Sequence, residues 1–263
     1  MKPGTMGVDW GSARMPYNRL STAKIARLIG VHPNTVRIYE AWGFIPLAPR
    51  APNGYRQYEP AHVDHMRLAR LVMREPFAGV ALRRLGIAMV LQAAAGDLAG
   101  ALEQAAEYQR MVHSEQAHAD EAATVLERWA AGAPQEPVGP LRIGQAARLL
   151  DVTIDMLRNW ERSGLIDVPR DPANGYRQYG TPEVARLRVI RMLLKAGYST
   201  MAVLRMLVDL EAGRTDDLRR SLDTPRPDED AAIASDRWLT SLAEHAQRSR
   251  EIITLLEEML VRQ

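Results

Sequence analysis

The chain has 263 residues, of which 46% are hydrophobic and 25% are charged, and it contains no cysteine. This length allows one large or two medium domains, and the missing thiols exclude disulfides, Cys-ligated zinc or iron-sulfur sites and a thiol nucleophile. The net charge of +2, taken for the whole chain, argues against a strongly basic nucleic-acid-binding protein.

The charges are unevenly distributed along the chain. Residues 14–84 carry a net charge of +8, residues 85–140 of −6, residues 141–214 of +4 and residues 215–263 of −4. Two basic segments that alternate with two acidic ones indicate two anion-binding modules, each followed by a module that does not bind anions. Chance unevenness of solvated surfaces is the alternative.

The first segment, residues 1–15, has no apolar run and is predicted to be a disordered tail rather than a signal peptide. No stretch of the chain approaches the roughly 20 apolar residues of a membrane span. We therefore expect a cytoplasmic protein that does not bind a membrane.

A helix-turn-helix is predicted next. Ser21 or Thr22 is suited to cap a first helix, which Gly30 ends. His32 is placed to cap a second helix that runs to Gly43. Two short helices across a tight turn are a helix-turn-helix candidate.

A turn-rich loop with Asn53-Gly54 follows, and its two short extended runs predict a small β-hairpin, or wing, that carries Arg50 and Arg56. Two further helices are expected at about residues 61–74 and 80–94. Together these elements make a predicted domain of residues 16–96.

A long helix is predicted at about residues 98–131, within a coiled-coil segment of residues 97–131. Its apolar positions follow a heptad repeat, in which Gln109 and Gln116 also lie on the seam. The apolar seam residues are Leu102, Ala105, Val112, Ala119, Ala123 and Leu126. Residues 132–140 are rich in Pro and Gly and are predicted to be a linker that spans at most about 30 Å.

The chain then repeats itself at an offset of 121 residues. Residues 20–58 align without a gap on residues 141–179, with 15 identities in 39 positions. The hexapeptide NGYRQY occurs unchanged at residues 53–58 and 174–179. The repeated unit is a whole domain with its trailing helix, so we expect a second winged domain at residues 141–217.

An acidic segment with a second long helix is expected at residues 218–263, the helix itself at about residues 231–262. Its predicted seam consists of Trp238, Leu242, His245, Ser249, Ile252, Leu256 and Met259.

Two motifs stand at matched spacing in both repeats. The first repeat has TVRIYEAWGFIP at residues 35–46, followed by NGYRQY, and the second has MLRNWERSGLI at residues 156–166, followed by the same hexapeptide. In these motifs the chain resembles, twice, the DNA-binding domain of the MerR family of bacterial transcription regulators. The resemblance implies a mainly α fold with small β wings, in which two winged helix-turn-helix domains are each followed by a long coiled-coil helix.

The residue types suit DNA binding in the first head, by which we mean residues 20–58. The N-terminus of the second helix offers free N–H groups to phosphate, and its exposed side chains can reach base edges in the major groove. Wing residues would hold the DNA backbone and fix the register without reading sequence. The candidates are His32, Asn34, Thr35, Arg37, Arg50, Asn53, Tyr55 and Arg56.

The second head, residues 141–179, departs from this pattern. By carry-over its candidates are Thr153, Asp155, Arg158, Arg170, Asn174, Tyr176 and Arg177. Asp155 puts a carboxylate where the first head has an amide; it would repel phosphate but could accept a hydrogen bond from cytosine. We therefore expect two unequal half-sites, the second bound more weakly.

Several repeated residues allow two interpretations. The aromatic side chains of Tyr39, Tyr58, Trp160 and Tyr179 suit core packing as well as DNA contact. Glu40 and Glu161 are expected to cap a helix or pair with an arginine. Arg27 and Arg148 are expected to be solvated or paired within their module rather than bound to DNA.

The family resemblance implies homodimers with antiparallel long helices. Because this chain already holds two heads and two long helices, we expect an intramolecular coiled coil and one chain per operator, with a homodimer as the alternative. The expected partners are double-stranded promoter DNA and RNA polymerase holoenzyme, with the protein located on the nucleoid.

No nucleophile elbow, phosphate loop or paired-carboxylate constellation is present, so we expect no enzyme and no cofactor. The histidine pairs His62/His65 and His113/His118 lack a ligand pattern, and we expect no metal site. The resemblance favours an activator that distorts its promoter; an architectural or excisionase-like DNA-binding protein and a ligand-responsive repressor are the alternatives.

Overall fold

A computed structural model describes residues 19–74, 79–225 and 234–262. The predicted tail of residues 1–15 lies outside the described residues, as do residues 226–233 of the acidic segment. The described residues form two compact units: the first comprises residues 19–73, 87–104 and 252–262, and the second residues 74, 79–86, 105–225 and 234–251. The first head thus lies in the first compact unit and the second head in the second.

The described chain is mainly helical, as predicted. The helices are α1 Thr22–Ile29, α2 Pro33–Ala41, α3 Pro60–Val72, α4 Val80–Ala94, α5 Leu98–Ala130, α6 Ile143–Leu149, α7 Ile154–Arg162, α8 Thr181–Lys195, α9 Thr200–Glu211, α10 Leu218–Asp223 and α11 Trp238–Val261. A 3₁₀ turn at Ala234–Arg237 precedes α11. The β structure of the described residues consists of isolated antiparallel bridges, Leu20–Tyr58 and Arg50–Arg56 in the first head and Leu141–Tyr179 and Arg170–Arg177 in the second.

Side-chain caps fix the start of each recognition helix, the second helix of the helix-turn-helix. His32 Nδ1 accepts a hydrogen bond from Asn34 N at 3.2 Å, and Thr153 Oγ1 accepts one from Met156 N at 3.1 Å. Each cap satisfies a backbone donor that would otherwise lack an intrahelical partner. The predicted cap of α2 is confirmed.

Buried aromatic residues join the parts of each head. The backbone of Tyr58 pairs with Leu20 through hydrogen bonds of 2.7 and 2.9 Å, and its ring is buried in the first core. Tyr179 and Trp160 are likewise buried in the core of the second compact unit. Of the four aromatic residues with two interpretations, these three therefore pack in the core, while Tyr39 is half-buried against Phe44.

The predicted seam of α11 is buried throughout, whereas Leu102, Gln109 and Gln116 of the predicted α5 seam are half-buried. All seven seam residues of α11 are buried, as are the predicted α5 residues Ala105, Val112, Ala119, Ala123 and Leu126. In the second compact unit, Val112 and Leu126 of α5 share one core with Trp238 and Leu242 of α11. Helices α5 and α11 therefore pack together within a single chain.

Helix α11 begins at Trp238, later than the predicted start at about residue 231, and residues 231–233 lie outside the described residues. The Trp238 indole Nε1 donates a hydrogen bond of 2.7 Å to Ala196 O. This bond ties the first residue of α11 to the end of α8.

Candidate nucleic-acid interface

Helix α2 buries one face in the first head and exposes the other. Val36 and Glu40 point inward. The exposed residues recur at helical spacing and are Asn34, Arg37, Ile38 and Ala41. These residues and the exposed His32 form the exposed surface of α2, and a recognition helix enters a major groove through such an unburied face. Thr35 is half-buried at the edge of this surface.

Helix α7 presents the matching surface in the second head. It buries Leu157 and Trp160 and exposes Thr153 at its N-cap. The exposed residues at helical spacing are Asp155, Arg158, Asn159 and Arg162. Arg158 Nη1 lies 3.2 Å from Asp155 Oδ1, so the cation predicted for DNA is paired with a carboxylate on its own helix.

The exposed faces of α2 and α7 include more residues than the sequence pattern predicted for the site. Ile38, Ala41, Asn159 and Arg162 were not predicted as site residues, yet they share the exposed face with those that were. The signal was available, because residues three and four apart in a helix lie on one face.

The two wings repeat the same internal contacts. Arg50 Nη1 donates to Gly54 O and Arg170 Nη1 to Gly175 O, each at 3.1 Å. Both glycines have a positive φ, 81° and 71°, which other residues rarely adopt. Each arginine thus stiffens its wing turn while its side chain remains exposed.

The wing asparagines and tyrosines are also equivalent. Asn53 Oδ1 accepts from Tyr55 N at 3.2 Å, and Asn174 Oδ1 accepts from Tyr176 N at 3.0 Å. These are Asx turns, in which the side chain replaces a backbone acceptor. All four side chains are exposed, as contact with a DNA backbone would require.

The ungapped alignment of the repeats needs a correction in the wing. Gln57 N donates to Pro49 O, and Gln178 N donates to Pro169 O, so the two prolines are equivalent at an offset of 120 rather than 121. The second head has one residue fewer before its proline and one more in the wing turn. The two changes cancel, and identity counting therefore could not detect them.

An ion pair joins each wing to its recognition helix. Arg56 Nε lies 2.5 Å from Glu40 Oε2, and Arg177 Nε lies 2.6 Å from Glu161 Oε2. The hydrogen bond that Arg177 donates to Glu161 raises the pKa of Arg177. The expected pairing of both glutamates with an arginine is confirmed, and both arginines are half-buried where the wing meets the recognition helix.

A cleft of about 370 Å³ lies between α2 and the wing of the first head. Arg37, Arg50 and Arg56 line it, together with Glu40. Since Glu40 is already paired with Arg56, the cleft retains a positive balance that suits a phosphate group.

The second wing carries one contact that the first cannot make. The Arg142 guanidinium lies over the ring of Tyr176, 4.5 Å from its centroid. A hydrogen bond from Ala173 N lowers the pKa of Asp171 in the same wing, and the charge of Arg142 adds to this effect. The first head has Ser21 at the position of Arg142.

Within residues 19–74, 79–225 and 234–262, no group of three or more His, Asp or Glu residues is arranged to hold a metal ion. Among the described helices, none combines the length and the hydropathy of a membrane span.

Comparison with known families and proteins gives matches to both repeats. Residues 20–76 and 141–209 match the family described as MerR HTH family regulatory protein. The HTH-type transcriptional repressor CarH of Myxococcus xanthus is 28% identical over 121 residues, which cover 45% of this chain and 39% of that protein. No solved structure gives a significant match.

Two further relatives match over a shorter length. The mercuric resistance operon regulatory protein of Serratia marcescens is 30% identical over 67 residues, covering 26% of this chain and 46% of that protein. The HTH-type transcriptional regulator HmrR of Sinorhizobium medicae is 34% identical over 67 residues, with the same coverage of 26% and 46%. The matched region thus spans less than half the length of each of these relatives.

Proposed function

We propose that this chain, which carries two helix-turn-helix units of the MerR family, is a sequence-specific DNA-binding transcription regulator that binds promoter DNA with both heads. One observation carries the proposal: each head combines an exposed recognition-helix face with a wing held by the same hydrogen bonds and ion pair. The family and the relatives are named as regulators, so we propose no enzymatic activity.

The proposed contacts divide by role. Recognition-helix residues contact the major groove and wing residues contact the backbone. The groove set comprises His32, Asn34, Thr35, Arg37, Thr153, Asp155 and Arg158, and the backbone set comprises Arg50, Asn53, Tyr55, Arg56, Arg170, Asn174, Tyr176 and Arg177.

We further propose that the chain acts as an intramolecular pseudo-dimer. In the first compact unit, Arg262 after α11 lies 3.2 Å from Asp64 of α3, beside the first head. In the second, Arg219 of α10 lies 2.9 Å from Asp120 and 2.7 Å from Glu127 of α5. Tyr198 of the second winged domain also donates a hydrogen bond of 3.2 Å to Ala119 O of α5. Thus α5 contacts the second winged domain and the residue after α11 contacts the first, as the two chains of a homodimer would do for each other.

The proposed mechanism is activation by distortion of a promoter, so that RNA polymerase holoenzyme can engage it. Deforming DNA costs energy that depends on sequence, which adds specificity at base pairs the protein does not touch. A repressor among the relatives favours a second candidate, repression by occupation of the promoter.

Transcription in vitro from the chain's own promoter, together with footprinting, tests this function. We expect protection of two half-sites and a change in transcript level. Arg37→Ala is expected to weaken binding by about 5- to 150-fold, and Arg158→Ala by less because Arg158 is paired with Asp155. Bound DNA without a change in transcript would instead indicate an architectural protein, and equal losses in both variants would contradict unequal half-sites.

A further inference from the structure

The recognition helices differ most in chemistry at one matched position. Ile38 of α2 and Asn159 of α7 are equivalent in the repeat and both lie on the exposed face, directly after the arginine of their helix. The Ile38 side chain is 36% exposed although it is purely apolar. Part of this apolar side chain is therefore open to solvent and available for contact with another molecule.

The two side chains suit different bases. An isoleucine has no polar atoms and can only make apolar contact, for which the thymine C5-methyl group is the partner in the major groove. An asparagine amide both donates and accepts, and it pairs in bidentate fashion with adenine N6 and N7.

The neighbouring residues strengthen this contrast. One turn on, the first head exposes Ala41 and then Trp42, whose side chain is 56% exposed, whereas the second head has Arg162 and Ser163 there. On the C-terminal side the exposed surface is thus apolar beside Ile38 and polar beside Asn159, whereas one turn earlier Met156 of the second head is 41% exposed where the first head has the half-buried Thr35.

The arginines also differ in their freedom to read bases. Arg158 is paired with Asp155 on the preceding turn, while Arg37 follows the uncharged Asn34 at the matched position. Base reading by α7 therefore depends more strongly on Asn159 than base reading by α2 depends on Ile38.

We infer that Ile38 and Asn159 give the two heads different base preferences, thymine under the first and adenine under the second. The inference rests on the proposed DNA binding. The base pairs that face Ile38 and Asn159 then differ between the two half-sites, so the operator is asymmetric. This asymmetry fixes the orientation in which a single chain lies on its promoter.

Selection of bound duplexes from a random pool, followed by single-base permutation of the selected operator, tests the inference. Ile38→Asn is expected to change the preference at one position from thymine to adenine by about 5- to 150-fold in relative Kd. Asn159→Ile is expected to make the reverse change in the other half-site. The double exchange should reverse the preferred orientation of the operator.

Two more variants make the test decisive. Ile38→Ala should reduce discrimination against other bases at its position without creating a new preference. Val208→Asn on α9 is the control, because Val208 is an apolar helix residue of similar exposure, 38%, outside the recognition helices. It should leave all base preferences unchanged.

Failure of the inference is distinguishable from failure of the proposed function. If wild-type protein selects an operator but both exchanges lower affinity equally for every base, the inference is wrong and the function stands. If wild-type protein selects no sequence at all, the proposed function itself is wrong.

Discussion

Two buried histidines on α3 give the first compact unit a sensitivity to acid. His62 Nδ1 accepts a hydrogen bond of 3.0 Å from Glu59 N and so caps the helix only when that nitrogen is unprotonated. Burial lowers the pKa of His62 against the opposing charges of Glu59 and Glu40, and it lowers the pKa of His65 to about 4, aided by His62. The second repeat has Glu183 at the position of His62, and its Oε2 accepts from Gly180 N at 2.9 Å.

We therefore predict that acid destabilises α3 before α8. Because the folded pKa of His65 lies below its unfolded value of 6.5, the unfolded chain binds protons first, so stability is complete above about pH 6.5 and is lost as the pH falls toward 4. The loss amounts to about 3 kcal/mol at most. Hydrogen exchange of α3 and α8 between pH 7 and pH 4.5 measures the loss of stability in each helix. In the His65→Gln variant the stability of α3 should depend less on pH. If the difference between α3 and α8 were unchanged in that variant, His65 would not be its cause.

Arg142 is the residue that most distinguishes the second wing. Arg142→Ala removes the cation from the ring of Tyr176, and we predict a loss of about two- to fivefold in binding to the second half-site. Arg148→Ala is the matched control, because Arg148 is exposed on α6 of the same head. Quantitative footprinting separates the half-sites, and an equal loss at both, or an equal effect of the control, would contradict the role given to Arg142.

Side-chain contacts between residues close in the sequence could be predicted, and contacts between residues far apart in the sequence could not. The His32 cap could be read from neighbouring residues, since its partner Asn34 is two positions away. The partner of Glu40 could not, because Arg56 is sixteen positions away and reaches it only after the wing has folded back on α2.

Among the elements, the long helices α5 and α11 are joined by a buried polar contact. Tyr108 Oη lies 2.7 Å from His245 Nδ1, within the core of the second compact unit. Burial raises the pKa of the Tyr108 phenol, so it remains protonated at neutral pH. A hydrogen bond in such a setting specifies pairing more sharply than apolar packing alone.

A double-mutant cycle tests this pairing. Tyr108→Phe is expected to lower the free energy of unfolding by about 1 kcal/mol, with a coupling of similar size to His245→Leu. Tyr55→Phe, at an exposed tyrosine, is the control and should have little effect. Denaturant unfolding at several protein concentrations measures the coupling; an intramolecular pair gives the same value at each, and a coupling that grows with concentration would indicate pairing between chains.

The elements themselves were largely predictable from periodicity and caps. The seam residues of α11 were read from a heptad pattern, and all are buried. The wing was less predictable, because its turn differs in length between the repeats while the total length is conserved. The hydrogen-bond register shows which wing residues are equivalent in the two repeats, and residue identity alone does not.

For the whole molecule, the linker of residues 132–140 was predicted from composition but its attachment was not. Val138 N donates to Thr181 Oγ1 at 2.8 Å, and that hydroxyl donates back to Val138 O at 3.2 Å. Glu136 also lies 3.5 Å from Arg188. The segment is therefore fastened to α8 of the second compact unit, which a Pro- and Gly-rich sequence does not by itself indicate.

The net charge of the whole chain argued against nucleic-acid binding because it sums over segments of opposite charge. Basic heads and acidic helical segments cancel to +2. In the second compact unit, Arg219 pairs with Asp120 and Glu127, so part of the acidic charge of α5 serves contacts within the chain. The positive charge that we propose to bind DNA is concentrated in the heads.

We propose that one chain supplies both halves of a MerR-type dimer, and the mass of its complex with an operator duplex decides this. Light scattering on a duplex that carries both half-sites gives this mass, and footprinting of the same complex gives its length. We predict one chain per duplex and protection of two adjacent half-sites at all protein concentrations. Two chains per duplex with a doubled footprint would show that the protein binds its operator as a dimer of chains instead.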